Sequence, residues 1–139
     1  MYCEYCYSMY DENFVPDVEE HRDIHARYKR YEAQHGRLPN CYRGREDNKE
    51  AAYAVFATDG LSDADYRAAG LQLLRAWFDR SVMGAIDTGR EHPEFDEYVR
   101  GAAFPAPMQG VQQERFLRGV PEYGTHPSIH MKPDSSYWE

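Results

Sequence analysis

A mainly α protein is the fold class that this chain of 139 residues predicts, and three observations predict it. Apolar residues recur at helical spacing from residue 18 onward, and Pro or Gly punctuates the segments. Beyond residue 36, no run alternates apolar and polar side chains as a half-buried strand would. The N-terminus differs: Cys3-Glu-Tyr-Cys6 is followed, fourteen residues later, by His21-Arg-Asp-Ile-His25. A Cys-x-x-Cys pair can grip one metal ion through a knuckle turn, and two histidines four apart share a helix face. Either half alone is weak, since such cysteines also form redox pairs. Together they predict a Cys2His2 site for zinc, with Cys3, Cys6, His21 and His25 as ligands. The metal is needed, because so short a segment cannot bury enough surface to fold alone. The expected organisation is a small ββα-like zinc finger over 1–36, then a compact helical domain with an irregular tail over 37–139.

The finger helix has clear ends. Tyr2 and the Met9-Tyr10 pair flank the cysteine knuckle with apolar and aromatic bulk. Phe14 precedes Pro16-Asp17, a helix start with Pro in the first turn. Val18, His21, Ile24, His25 and Tyr28 then fall on one stripe. Asp17, Glu19 and Glu20 come early, Arg27, Lys29 and Arg30 late, and both groups suit the helix dipole. Gly36 is a natural stop. Cys3-x-x-Cys6, Met9-Tyr10 and the acidic run before His21-x-x-x-His25 resemble the Cys2His2 finger that precedes the catalytic domain of sister-chromatid cohesion acetyltransferases. The resemblance covers the first quarter of the chain and implies the ligand role for the same four residues. It does not extend to acetyl transfer, which needs alternating strands and a Gly-rich pyrophosphate turn.

The remainder reads as helices in series. Leu38-Pro39-Asn40 is a short linker. Residues 46–58 hold good helix formers, with Ala51, Ala52, Tyr53, Val55 and Phe56 on an apolar side. Asp59-Gly60 is a turn, and Ser62 is an N-cap with Asp63 and Asp65 behind it. The strongest stripe follows: Tyr66, Ala69, Leu73, Leu74, Trp77, Phe78 and Val82, with Arg67, Gln72, Arg75, Asp79 and Arg80 off it. A core centred on Leu74, Trp77, Phe78 and Phe56 is expected. Thr88-Gly89 breaks the chain, and Pro93 opens a short helix that turns Phe95, Tyr98 and Val99 inward. Phe104-Pro-Ala-Pro107 is irregular, and 111–120 form a last helix through Phe116 and Leu117. Tyr123, Ile129, Tyr137 and Trp138 give the tail enough apolar mass to dock.

Charge and motifs narrow the function. There are 24 acidic and 16 basic residues, a net charge of −8, so the surface opposes a polyanion. The acidic side chains Asp17, Glu19, Glu20 and Asp23 form one possible contact face, and Glu94, Asp96 and Glu97 another. Both suit a protein partner with a basic surface. No phosphate loop, nucleophile turn or dinucleotide fingerprint is present, so catalysis is not expected. His35, His92, His126 and His130 remain outside the ligand set, and Pro127 argues against a regular helix joining the last two. Cys41 has no cysteine left to pair with and reads as a free thiol. Thiolate ligands with only three cysteines suit a reducing cytoplasm, and no signal peptide or membrane span is read. In general character the small, acidic, finger-bearing chain resembles proteins of phages and mobile elements, above all anti-CRISPR inhibitors of the Cas9 type. That resemblance implies binding to a basic effector surface and a block on target DNA loading. The alternative is a nucleic-acid-binding regulator using the finger helix or Arg37, Arg43 and Arg45.

Overall fold

A computed structural model describes residues 1–101 and 110–125. Its helices are α1 (Val15–His35), α2 (Tyr42–Phe56), α3 (Asp63–Thr88), α4 (Phe95–Gly101) and α5 (Val111–Gly119). The mainly α expectation holds. The two strands expected ahead of α1 reduce to a single antiparallel bridge between Tyr2 and Met9, with no strand among the described residues. The 104–107 segment, His126, His130, Ile129, Tyr137 and Trp138 lie outside those residues.

Local chemistry sets most helix ends. Pro16 occupies the first turn of α1, and Gly36 closes it at a left-handed φ of 75°. Ser62 and Asp65 exchange hydrogen bonds at the start of α3, a reciprocal capping box. Two ends differ from expectation. α2 starts at Tyr42, a turn before residue 46, and so carries Arg43 and Arg45 in its first turn. α4 starts at Phe95 and not at Pro93, because the Glu94 carbonyl accepts the first helical bond, from Tyr98 N–H at 2.9 Å.

α3 touches all four other helices and is buried around most of its circumference. This is the pattern of a central helix and not of a surface one. Its first half packs Tyr66, Ala69, Leu73 and Leu74 with Ala52 and Phe56 of α2 and Phe116 and Val120 of α5. Its second half packs Phe78, Val82 and Ile86 with Tyr98 of α4, Tyr28 of α1 and Cys6 of the knuckle. Trp77 is half-buried and packs against both clusters, so it joins them where a single centre was expected.

Asp79 departs furthest from its expected place. The helical spacing puts it off the apolar stripe, yet its side chain is 0% exposed. The end of α1 and the linker lie over it. Arg37 donates two hydrogen bonds to its carboxylate, at 2.9 and 3.0 Å, and the Asn40 N–H donates a third at 3.1 Å. Arginines also close helix ends. Arg27 donates to the Ile86 and Asp87 carbonyls at the end of α3, at 3.0 and 2.6 Å. Arg115 donates to the Phe56 carbonyl at the end of α2, at 2.8 Å. A cation is favoured at each of these C-termini.

α5 approaches α3 so closely that two glycines are required. A Cβ at Gly119 would lie 2.6 Å from the Tyr66 carbonyl carbon and 2.7 Å from the Arg67 nitrogen. One at Gly70 would meet the Val120 Cγ2 at 2.5 Å. Backbone cannot rotate aside, whereas a valine can. Gly119→Ala should therefore destabilise by about 1–3 kcal/mol or more, and Gly70→Ala by less, read from urea unfolding midpoints.

Candidate metal centre

The knuckle is built by backbone bonds. Cys3 N–H donates to the Ser8 carbonyl at 2.9 Å, and Tyr7 N–H donates to the Cys3 carbonyl at 2.8 Å. Tyr7 turns the chain with a φ of 61°, a left-handed conformation that strains a residue with a side chain. Its ring offsets the strain elsewhere. The hydroxyl donates to the Pro39 carbonyl at 2.9 Å, and the ring edge meets Tyr28 at 6.2 Å.

The turn holds Cys3 and Cys6 against the first half of α1, where His21 and His25 stand one turn apart. One donor atom from each of these four side chains lies within 4.8 Å of every other. The set is close enough to hold one metal ion. Cys3 Sγ and His25 Nδ1 are 3.5 Å apart, which matches the S···N edge of about 3.5 Å in a tetrahedron with zinc-like bond lengths. His21 Nε2 is buried with no hydrogen-bond partner, an arrangement that costs energy unless a ligand atom meets it. A metal ion would satisfy it.

Electrostatics prepares the thiols unequally. Burial pushes Cys3 up, but the Cys6 amide, His21, the Tyr5 amide and the Cys6 side chain outweigh it and bring Cys3 down to about 6. Burial pushes Cys6 up, with the Ser8 hydroxyl and amide opposing and Cys3 adding to the rise. Cys3 is therefore the readier thiolate. Ser8 Oγ, 3.3 Å from Cys6 Sγ, can donate to the sulfur once its proton has gone.

Two tyrosines hold the histidine rings. Tyr10 stacks on His21 with centroids 4.1 Å apart and planes 9° apart. Tyr5 covers His25 at 4.7 Å and is itself pinned by a 2.9 Å bond from its hydroxyl to Glu32. The sequence shows Tyr10 beside the knuckle but not its stacking, and Tyr5, inside the Cys-x-x-Cys loop, gives no signal in the linear spacing.

The acidic residues divide into two places. Asp17, Glu19, Glu20 and Asp23 stand on the first half of α1, with Glu19, Glu20 and Asp23 exposed. Asp17 accepts a hydrogen bond from Asp11 N–H at 3.0 Å. Glu94 lies 3.5 Å from His35, at the far end of α1, and Asp96 and Glu97 are exposed beside it on α4. Eighteen residues of helix, about 27 Å, separate Asp17 from His35. Of the arginines offered for nucleic acid, Arg37 is bound to Asp79 and Arg45 is 9% exposed, donating to the Asn40 carbonyl. Arg43 is exposed. Cys41 is the free, half-buried N-cap of α2. His92 Nε2 lies 2.8 Å from the Ser81 hydroxyl and Nδ1 2.9 Å from the Pro93 carbonyl, its ring packed by Phe78 and Tyr98.

Two outcomes follow from these arrangements. Cys3→Ser or His25→Ala should abolish stoichiometric metal binding, measured by elemental analysis. Either change should also lower thermal stability, because Cys6 and Tyr28 sit in the α3 cluster. His92 gives a pH signature. Burial pushes its pKa down from 6.5, with the Pro93 carbonyl opposing. The folded state thus binds a proton less readily than the unfolded one. Its contribution is present above about pH 6.5 and is lost as the pH falls through the lowered value. Urea unfolding of metal-loaded protein between about pH 5 and 7.5 should show a stability loss on acidification that His92→Gln reduces. No family model, curated protein or solved structure matches the chain, so function is read from these side chains.

Proposed function

We propose that the protein is a zinc-clamped inhibitor or adaptor, without catalytic activity, that binds a basic protein engaged with nucleic acid. A sulfur-and-imidazole donor set of two and two suits zinc in a structural role, with no position left for a reacting water. The observation that carries the reading is the disposition of charge. Two of the three arginines that would serve a nucleic-acid face turn inward, onto Asp79 and Asn40. Glu19, Glu20 and Asp23 remain exposed on the helix that bears His21 and His25. Arg22 is exposed among them, and Lys29 and Arg30 further along, but the first half of the helix carries four carboxylates against that one arginine, so that half repels phosphate and attracts lysine and arginine. Among basic proteins that handle nucleic acid, a Cas9-type effector is the first candidate partner, and interference with target DNA loading is the expected mode. That setting places the protein in a host bacterial cytoplasm. No described helix is long and apolar enough to cross a membrane.

The test is target cleavage by a panel of Cas9 proteins with and without this chain, followed by a DNA-loading assay on any that are inhibited. Loss of loading is expected for at least one effector, with no gel shift of duplex DNA by the free protein at physiological salt. Tight DNA binding by the free protein, with every effector unaffected, would favour a nucleic-acid-binding regulator and overturn the proposal.

A further inference from the structure

Among the described residues, five of the eight large apolar side chains left exposed come from the first fifteen positions. They are Met1, Tyr2, Met9, Phe14 and Val15, and Met9 is the most open at 76%. The backbone gathers Met1, Tyr2 and Met9. Tyr2 bridges to Met9, and Met1 and Tyr10 exchange two hydrogen bonds, at 2.8 and 2.9 Å. Met1 and Met9 line a shallow groove of about 470 Å³ together with Asp11, Glu12 and Asp17. Phe14 and Val15 lie next to the groove in sequence without lining it, with the Phe14 N–H bonded to the Asp11 carbonyl at 3.1 Å. Scattered apolar side chains on a surface are ordinary, but a concentration of this kind marks a contact site.

The charge beside the patch selects its occupant. Asp11, Glu12 and Asp17 form no ion pair with a described residue. The one cation at the groove, the Met1 ammonium, is turned onto the Tyr10 carbonyl. Nucleic acid and an anionic membrane are both repelled by such a rim. A second copy docked patch to patch across a two-fold axis would bring the same carboxylates face to face. What remains is a segment that is apolar on one side and cationic at its edge.

We propose that the knuckle and the first turn of α1 form a docking face for an amphipathic, Lys/Arg-bearing segment of a partner protein. Its apolar side chains lie on Met9, Phe14 and Val15, and its cations meet Asp11, Glu12 and Asp17. This placement rests on the reading of the protein as a binder of a basic partner. It puts the contact at the knuckle end of α1 and not at Glu94, Asp96 and Glu97.

The test is an NMR titration of the full, metal-loaded chain with three probes: a synthetic helical Leu/Lys peptide, an oligolysine of equal charge, and a short DNA duplex. The Leu/Lys peptide should give saturable shifts centred on residues 9–17. The oligolysine should bind roughly tenfold or more weakly. The double substitution Met9→Ser/Phe14→Ser should weaken the peptide by a similar factor, with metal content and helicity unchanged. Glu94→Lys/Glu97→Lys should leave its affinity unaltered. A footprint elsewhere, no saturable shift, equal binding of oligolysine, or indifference to Met9→Ser/Phe14→Ser would each overturn this placement, while the reading of a basic partner would stand. Saturable binding of the duplex on this face would overturn both.

Discussion

The Asp79 carboxylate has no access to water, so its charge must be met inside the protein. Arg37 meets it with a bidentate pair, and the Asn40 amide adds a third donor. All three donors come from a stretch of four residues just after α1. A carboxylate on α3 thus ties down the stretch between the end of α1 and the start of α2. The same stretch is held from its other sides: the Pro39 carbonyl accepts the Tyr7 hydroxyl, and the Asn40 carbonyl accepts Arg45. The stretch that holds the short Leu-Pro-Asn linker is thus bonded to α3, to α2 and to the N-terminal knuckle. Burial of a pair like this does not by itself add stability, because desolvation offsets the attraction. Removing either partner would leave a buried charge unmet. The arrangement therefore specifies one placement of α1 over α3 and penalises others.

That placement ties the metal ligands to the body of the protein. Cys6 sits in the same buried cluster as Phe78, Val82 and Ile86, and Tyr28, one turn beyond His25, is wholly enclosed there. Arg27, in the same turn as Tyr28, ends on carbonyls of α3. Metal binding would gather Cys3, Cys6, His21 and His25 around one point and so hold the knuckle against α1. Tyr7 would transmit that constraint to Pro39, and Tyr28 to α3. The free energy of binding is then folding free energy for more than the first thirty-six residues. A finger on a flexible tether would have no such reach.

Much of this was legible in the sequence, for identifiable reasons. The four ligands share a local pattern whose geometry follows from knuckle and helix periods, and the structure brings them together. Helix identities followed from apolar spacing, and Gly36 and Ser62 act where their chemistry puts them. What could not be read depends on long-range packing. The burial of Asp79 requires knowing that α1 ends above α3, forty-two residues away in sequence. An aspartate off the apolar stripe of a helix is ordinarily a solvated one. α2 starts early, its first helical bond running from Arg45 N–H to the Cys41 carbonyl, and the Arg45 guanidinium also reaches the Asn40 carbonyl, a contact that propensity does not encode. The packing of Tyr5 and Tyr10 against the histidines depends on where the knuckle settles against α1.

The inward arginines also explain how an acidic chain comes to look still more acidic from outside. Arg37 and Arg45 are spent on Asp79 and the Asn40 carbonyl, and Arg27 and Arg115 on carbonyls at helix ends. Only Arg37 among them neutralises a buried carboxylate. The other three reach backbone oxygens, and Arg115 also pairs with the exposed Asp59, so their cations are drawn toward the fold and away from a partner. On α1, Asp17 and Glu32 accept bonds from Asp11 N–H and the Tyr5 hydroxyl, but three other carboxylates are under no such demand. Glu19, Glu20 and Asp23 remain in solvent, where their field extends about 8–10 Å at physiological salt. A net charge of −8 is modest for a chain of this size, but its consequence depends on distribution. Here folding draws part of the positive charge into structure while Arg22, Lys29 and Arg30 stay exposed on α1, and Glu19, Glu20 and Asp23 stand near the most concentrated group of exposed apolar side chains among the described residues.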